Sequence, residues 1–174
     1  MGQLVGLTSV RVGDPIKTGI TGSEAITGLK KITQPYSGGV TTNFAIPSST
    51  EFFRENETDP FYSAVDPSSA TKKLSWEVAD FDDDTLAFYF GTTEAESGTI
   101  YEGVKAFAFD TKSGYTLAFA RLKYIATLTG AMNTGEPLRI SVEATVLAPE
   151  TSGKAWWPVV TPTYTGGDWK PEEE

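Results

Sequence analysis

VADFDDDTLAFYFG, residues 78–91, joins an alternating apolar stretch to four aspartates and then to an apolar run closed by glycine. Just upstream, Leu74, Trp76 and Val78 alternate with Lys73, Ser75 and Glu77, the period of a strand with one buried face. Asp82 then stands where a helix N-cap belongs, because its carboxylate can accept the unpaired N–H groups of a first turn. Asp83 and Asp84 add negative charge where the helix dipole favours it. TLAFYF follows, and Gly91 suits the position just past a helix end. The pattern predicts a helix over about 82–90, capped by Asp82 and stopped by Gly91, with Leu86 and Phe90 as an inward stripe four residues apart.

Two other chemistries use aspartates at this density. Haloacid-dehalogenase-type phosphatases carry an apolar strand followed by Asp-x-Asp-x-Thr, with the first aspartate as nucleophile and the second as acid/base. Counted from Asp80, the second aspartate falls correctly at Asp82, but the fifth position is Asp84 and the threonine arrives one late, at Thr85. An EF-hand loop starting at Asp80 needs glycine at its sixth position and glutamate at its twelfth, where this chain has Thr85 and Gly91. An irregular calcium site is the metal alternative that these carboxylates leave open.

The chain has 174 residues, 23 acidic and 14 basic, for a net charge of −9, so its surface repels nucleic acid rather than gripping it. Ten Phe, seven Tyr and four Trp give it the material for a core. It contains neither His nor Cys, which excludes Ser-His-Asp and Cys-His catalysis, His/Cys zinc sites and disulfide scaffolds. The residues nominate no catalytic group, cofactor or metal, and the reading is not that of an enzyme. Neither a secretory leader nor a membrane anchor is expected. Asn56–Thr58 matches a glycosylation acceptor, a tripeptide common by chance.

Elsewhere the period is two almost throughout. Leu138, Ile140, Val142, Ala144 and Val146 share one face of PLRISVEATVLAP, and EGVKAFAFD and GYTLAFARLKYIATLTG flank the turn TKSG. The second half therefore reads as a short helix followed by a three-stranded antiparallel meander. Shorter strands are expected in QLVGLTSVRVG, GLKKITQPYSGGVTTNFAI and STEFFRE, and a long loop over about 56–69. The fold class expected is mainly β, an antiparallel sandwich or barrel with one short flanking helix. Residues 1–149 make the β domain and 150–174 a C-terminal arm or tail outside the core. In the long strand Leu117 and Phe119 fall on one face and Ala118, Ala120, Leu122, Tyr124 and Leu128 on the other. Apolar residues on both faces mean either a sandwich whose helix covers the outer face or a contact between subunits.

The order of these elements resembles the major tail tube proteins of long-tailed bacteriophages, which share their fold with the tube of the type VI secretion machine. The resemblance is carried by the strand entering VADFDDDTLAFYFG, by a helix of the type Asp-x-x-x-Leu-x-x-x-Phe-Gly (Asp82, Leu86, Phe90, Gly91), and by the ending Val146–Pro149, over roughly residues 4–149. It implies hexameric rings that stack into a hollow tube through which genomic DNA passes without specific binding. It also implies edge strands that pair with neighbouring subunits, and partners of the tail terminator, tape measure and tail-tip or baseplate classes. The place implied is the virion tail, assembled in the host bacterial cytoplasm. In that setting Phe52, Phe53, Phe61 and Tyr62 are candidates for contacts between subunits or stacked rings, since a monomer gains nothing by exposing them. Other classes stay in play: a capsid decoration, tail terminator or tail completion protein, or a carbohydrate-binding sandwich using Trp156, Trp157 and Trp169.

Overall fold

A computed structural model describes residues 6–36, 39–44, 48–60, 62–66, 71–91, 102–132, 135, 137–151 and 153–171. The chain folds as β1 (Leu7–Gly13), a 3-10 turn (Ser23–Ile26), β2 (Lys30–Ile32), β3 (Thr41–Phe44), β4 (Ser48–Phe52), β5 (Tyr62–Asp66) and β6 (Lys72–Val78). Then come α1 (Asp83–Phe90), β7 (Glu102–Thr111), β8 (Tyr115–Thr129), β9 (Arg139–Val146) and β10 (Trp156–Val160). It is mainly β and antiparallel with one helix, as expected, and the sheet does not close into a barrel. One sheet runs β2-β1-β7-β8-β9-β6-β3, with β10 added beside β8, and β4 and β5 form a separate pair.

The expected strand and helix around residues 78–91 are both present. Leu74, Trp76 and Val78 are buried on β6. The Asp82 carboxylate accepts from the Thr85 N–H at 3.2 Å, and Gly91, at φ 70°, donates its N–H to the Ala87 carbonyl at 3.1 Å. A left-handed φ of this kind is the reason a glycine ends the helix. The inward stripe differs from expectation. Thr85, Phe88 and Tyr89 are the buried helical residues, whereas Leu86 and Phe90 pack only partly against the core. LAFYF is apolar on nearly every side, so period alone cannot select the face. The partners select it: the Trp76 indole N–H donates to the Tyr89 hydroxyl at 3.1 Å, and the Tyr124 hydroxyl donates to the Phe88 carbonyl at 3.0 Å.

The sheet curls around this helix-capped core. Two strands, β8 and β9, stand between β7 and β6 in the sheet, yet the Trp76 ring meets Phe107 and Phe109 edge-on at 5.7 Å each. Strong right-handed twist and coiling bring such distant strands face to face.

β8 departs from strict alternation. Lys105 pairs with Leu122 but Phe107 with Phe119, so β8 carries one extra residue between 119 and 122. This bulge returns Leu122, Tyr124 and Ala126 to the face that holds Phe119, all in the aromatic core. Counting by two had placed Leu122 and Tyr124 opposite Phe119; the bulge corrects it. The bulge is also where β8 exchanges neighbours, pairing with β10 over residues 115–119 and with β9 over 122–129.

The second face of β7 and β8 is small: Ala106, Ala108, Ala118 and Ala120 are fully buried there. The helix does not cover it. Ile20, Ile26, Leu29 and Val159 do, with Ile16 and Tyr164 at the margin. Residues 150–171 are therefore part of the fold, which corrects the expectation of an arm outside the core. β10 extends the main sheet, and a parallel bridge between Lys31 and Asp168 covers the outer edge of β2. The apolar run AWWPVV, residues 155–160, is interrupted by a proline and does not alternate, so period does not mark it as a strand, and its hydrogen bonds go to strands far away along the chain.

Candidate functional site

Three places could carry function: a charged cleft at the start of α1, a buried carboxylate under the C-terminal segment, and the β4–β5 hairpin with the open end of the sheet beside it.

The α1 cleft has a volume of about 320 Å³ and is lined by Lys31, Thr33, Asp82, Asp84, Trp169 and Lys170 among others. Two of its three aspartates are already engaged. Asp82 caps the helix, and Lys170 donates to Asp84 at 2.6 Å. Among the described residues no group of three or more acidic side chains is arranged to hold a metal ion. Thr33 and Thr85 share a hydroxyl hydrogen bond at 2.6 Å that ties the loop after β2 to the helix.

Asp110 was not singled out in the sequence reading. It sits on β7, 4% exposed, and accepts from Ser9 (2.6 Å), Arg11 (3.3 Å), Thr116 (2.7 Å) and Tyr164 (2.6 Å). The Arg11 guanidinium also lies 3.8 Å over the Tyr164 ring. One carboxylate thus joins β1, β7, β8 and the C-terminal segment. A buried charge is tolerated when it is paired and its lone pairs are filled, which is the case here. The alternating FAFD of β7 could have signalled it, since an aspartate there occupies the same face as the alanines.

Two phenols report on this packing. Burial pushes the Tyr89 hydroxyl well above its ordinary value, against a smaller lowering by the Trp76 hydrogen bond. Tyr164 is raised as well, first by burial and then by Asp110. A raised phenol stays neutral in the folded chain while the unfolded chain ionises near pH ~10. Its contribution to stability is therefore complete below that pH and is lost above it. Urea unfolding from about pH 8 to about pH 11 should show stability falling above pH ~10, by about 1.4 kcal/mol per pH unit for Tyr89. Tyr164, half-exposed, adds to the fall by less. A profile flat to pH ~11 would contradict the burial of Tyr89.

The hairpin is the third place. In β4 and β5 Phe52 pairs with Tyr62 and Ser48 with Asp66, so residues 62–66 of the expected loop over 56–69 are a strand. The Asp-Pro pairs and short apolar content of NETDPFYSAVDPSS hide it, because β5 gains its structure from hydrogen bonds to β4 rather than from its own pattern. At the tip the Glu57 N–H donates to the Arg54 carbonyl at 3.1 Å, and Asn56 takes a left-handed φ of 68°, which asparagine tolerates. The Phe52 and Tyr62 rings meet at 5.9 Å but remain 45% and 60% exposed, and Phe53 is 51% exposed. Phe52 and Tyr62, two of the four nominated contact residues, are thus together on one exposed surface, and Phe53 is exposed next to them in sequence; Phe61 lies outside the described residues. Among the described residues the pair is a sheet of its own, hydrogen-bonded to no strand of the main sheet.

Beside the hairpin in sequence, β3 ends the main sheet and pairs on one side only, with β6. The three tryptophans nominated as a sugar platform are divided. Trp169 packs edge-on against Phe88 at 5.1 Å and Trp156 against Phe44 at 5.3 Å, while Trp157 is exposed under the Lys154 ammonium at 3.6 Å. No helix among the described residues is long and apolar enough to cross a membrane. No model of a known protein family matches this chain, and no curated protein is significantly similar to it.

Proposed function

We propose that this chain is a structural virion subunit whose copies form hexameric rings, and that the rings stack into the hollow tail tube through which phage DNA is ejected. The observation that carries this reading is the β4–β5 hairpin. A two-stranded ribbon alone is marginal in water, and one that exposes Phe52, Phe53 and Tyr62 has most to gain from a partner. The one-sided β3 edge gives such a partner backbone groups to pair with. Charge supports the conduit. Six copies at −9 each carry −54, and a lumen of that sign lets a polyanion pass instead of pinning it by phosphate contacts.

Negative-stain microscopy of the concentrated protein tests the reading: hollow tubes or six-fold rings are expected, and a strict monomer at every concentration overturns it. The double variant Phe52→Ala/Tyr62→Ala should keep its thermal transition, since both side chains are exposed. It should raise the concentration at which assembly begins by about 30-fold, the effect of losing a central aromatic contact. Unchanged assembly would remove the hairpin from the interface.

A further inference from the structure

The curled sheet leaves an opening at one end. There the core is reached through a cleft of about 620 Å³ whose apolar lining includes Leu7 on β1, Phe109 on β7, Leu117 on β8, Leu74 on β6, and Tyr36 and Val40 before β3. Its size is within the roughly 300–1,000 Å³ of sites that bury a bound group, and its walls mix these apolar side chains with the uncharged polar groups of Gln34, Thr42 and Thr111. The core is complete without it, since Leu74 and Phe109 are already buried while Leu7, Val40 and Leu117 are only partly covered. The same molecule carries exposed aromatic side chains on and beside the two-stranded β4–β5 ribbon, Phe52, Tyr62 and Phe53.

We infer that the β4–β5 hairpin of one copy seats Phe52 and Tyr62 in this cleft of a second copy. The inference rests on the proposed self-assembly and names the receiving surface. Two features of the molecule favour a second copy as the occupant. The ribbon and the cleft are different surfaces, so their contact is head-to-tail and each copy can give one ribbon and receive another. A contact of that kind propagates into a ring or a filament instead of stopping at a dimer. The cleft is also uncharged among its lining side chains, whereas the chain as a whole carries −9, so it suits an uncharged insert such as the Phe52 ring and the Tyr62 phenol, whose hydroxyl can meet the polar groups of the lining.

The absence of cysteine makes a direct test possible. Tyr62→Cys and Val40→Cys are introduced together and singly into the full chain, assembled at high concentration and oxidised. A ladder of disulfide-linked multimers on non-reducing gels is expected from the double variant, with dimers at most from either single one. A link that closes only within one chain overturns the inference, and so does assembly by microscopy with no 40–62 link. The same pairing with Leu4→Cys in place of Tyr62→Cys tests whether residues 1–5 fill the cleft; efficient capture there, with none at Tyr62→Cys, overturns it too. Wild-type protein that never assembles removes the proposed function itself, which separates the two failures. Leu117→Asp at the cleft wall gives an independent readout. Assembly should begin at a concentration about 30-fold higher, matching the loss caused by Phe52→Ala/Tyr62→Ala, with no further increase when the changes are combined.

Discussion

Replacing Asp110 with alanine should destabilise the chain by about 3–5 kcal/mol, among the largest effects that any single substitution here can have. The change removes the one acceptor shared by Ser9, Arg11, Thr116 and Tyr164. The Arg11 guanidinium, with its side chain only 18% exposed, then keeps its charge without a counter-charge, and the Tyr164 hydroxyl loses its acceptor. Urea unfolding gives the magnitude. Limited tryptic cleavage gives the location, since freeing the C-terminal segment should make Lys154 an early site. Asp110→Asn should cost less, because an amide oxygen still accepts but the charge paired with Arg11 is gone. A loss under about 1 kcal/mol for the alanine variant would mean that the cluster adds nothing net to stability.

Phe88→Ala should cost a comparable amount, about 3–5 kcal/mol, for a different reason. Phe88 stacks on Tyr124 at 5.0 Å and meets Tyr89, Phe107 and Trp169 edge-on at 4.9, 6.1 and 5.1 Å. Removing the ring leaves a void bounded by rigid aromatics that cannot collapse into it. The helix should loosen with it, because Phe88 and Tyr89 are its main hold on the sheet. Thermal unfolding followed in the near-ultraviolet, where Trp76 and Trp169 report, should show a lower midpoint and a weaker folded signal. Leu86→Ala, at a partly covered position of the same helix, should cost markedly less; equal losses would return the inward face to Leu86 and Phe90.

The strands of the second half could be read directly because each faces a core on one side, so hydrophobic period and burial coincide in Leu74, Trp76 and Val78 and in Ile140, Val142 and Ala144. The helix cap was legible for a local reason, since Asp82 and Thr85 are three residues apart and interact within the turn. What escaped was non-local. β5 and β10 take their hydrogen bonds from strands that their own residues do not specify, and the bulge in β8 shifts a face without changing composition. The candidate site divides in the same way. Exposure of Phe52, Phe53 and Tyr62 followed from aromatics flanking a proline-broken stretch, whereas the cleft that could receive them is assembled from β1, β6, β7 and β8 and exists only in three dimensions. Asp110 looked like any other acidic residue until four donors converged on it.

The exchange of neighbours along β8 also bears on synthesis. The first part of β8 is completed by β10, which leaves the ribosome about forty residues later by sequence position. Until then a growing chain presents Tyr115–Phe119 as an unpaired edge beside an alanine face that still lacks Val159, the kind of surface that recruits another strand. A ribosome that stalls after β9 would release a chain with most of its aromatic core and one adhesive margin. Chains that are to assemble with each other in an orderly way thus have a particular need for β10 to arrive before a neighbour does.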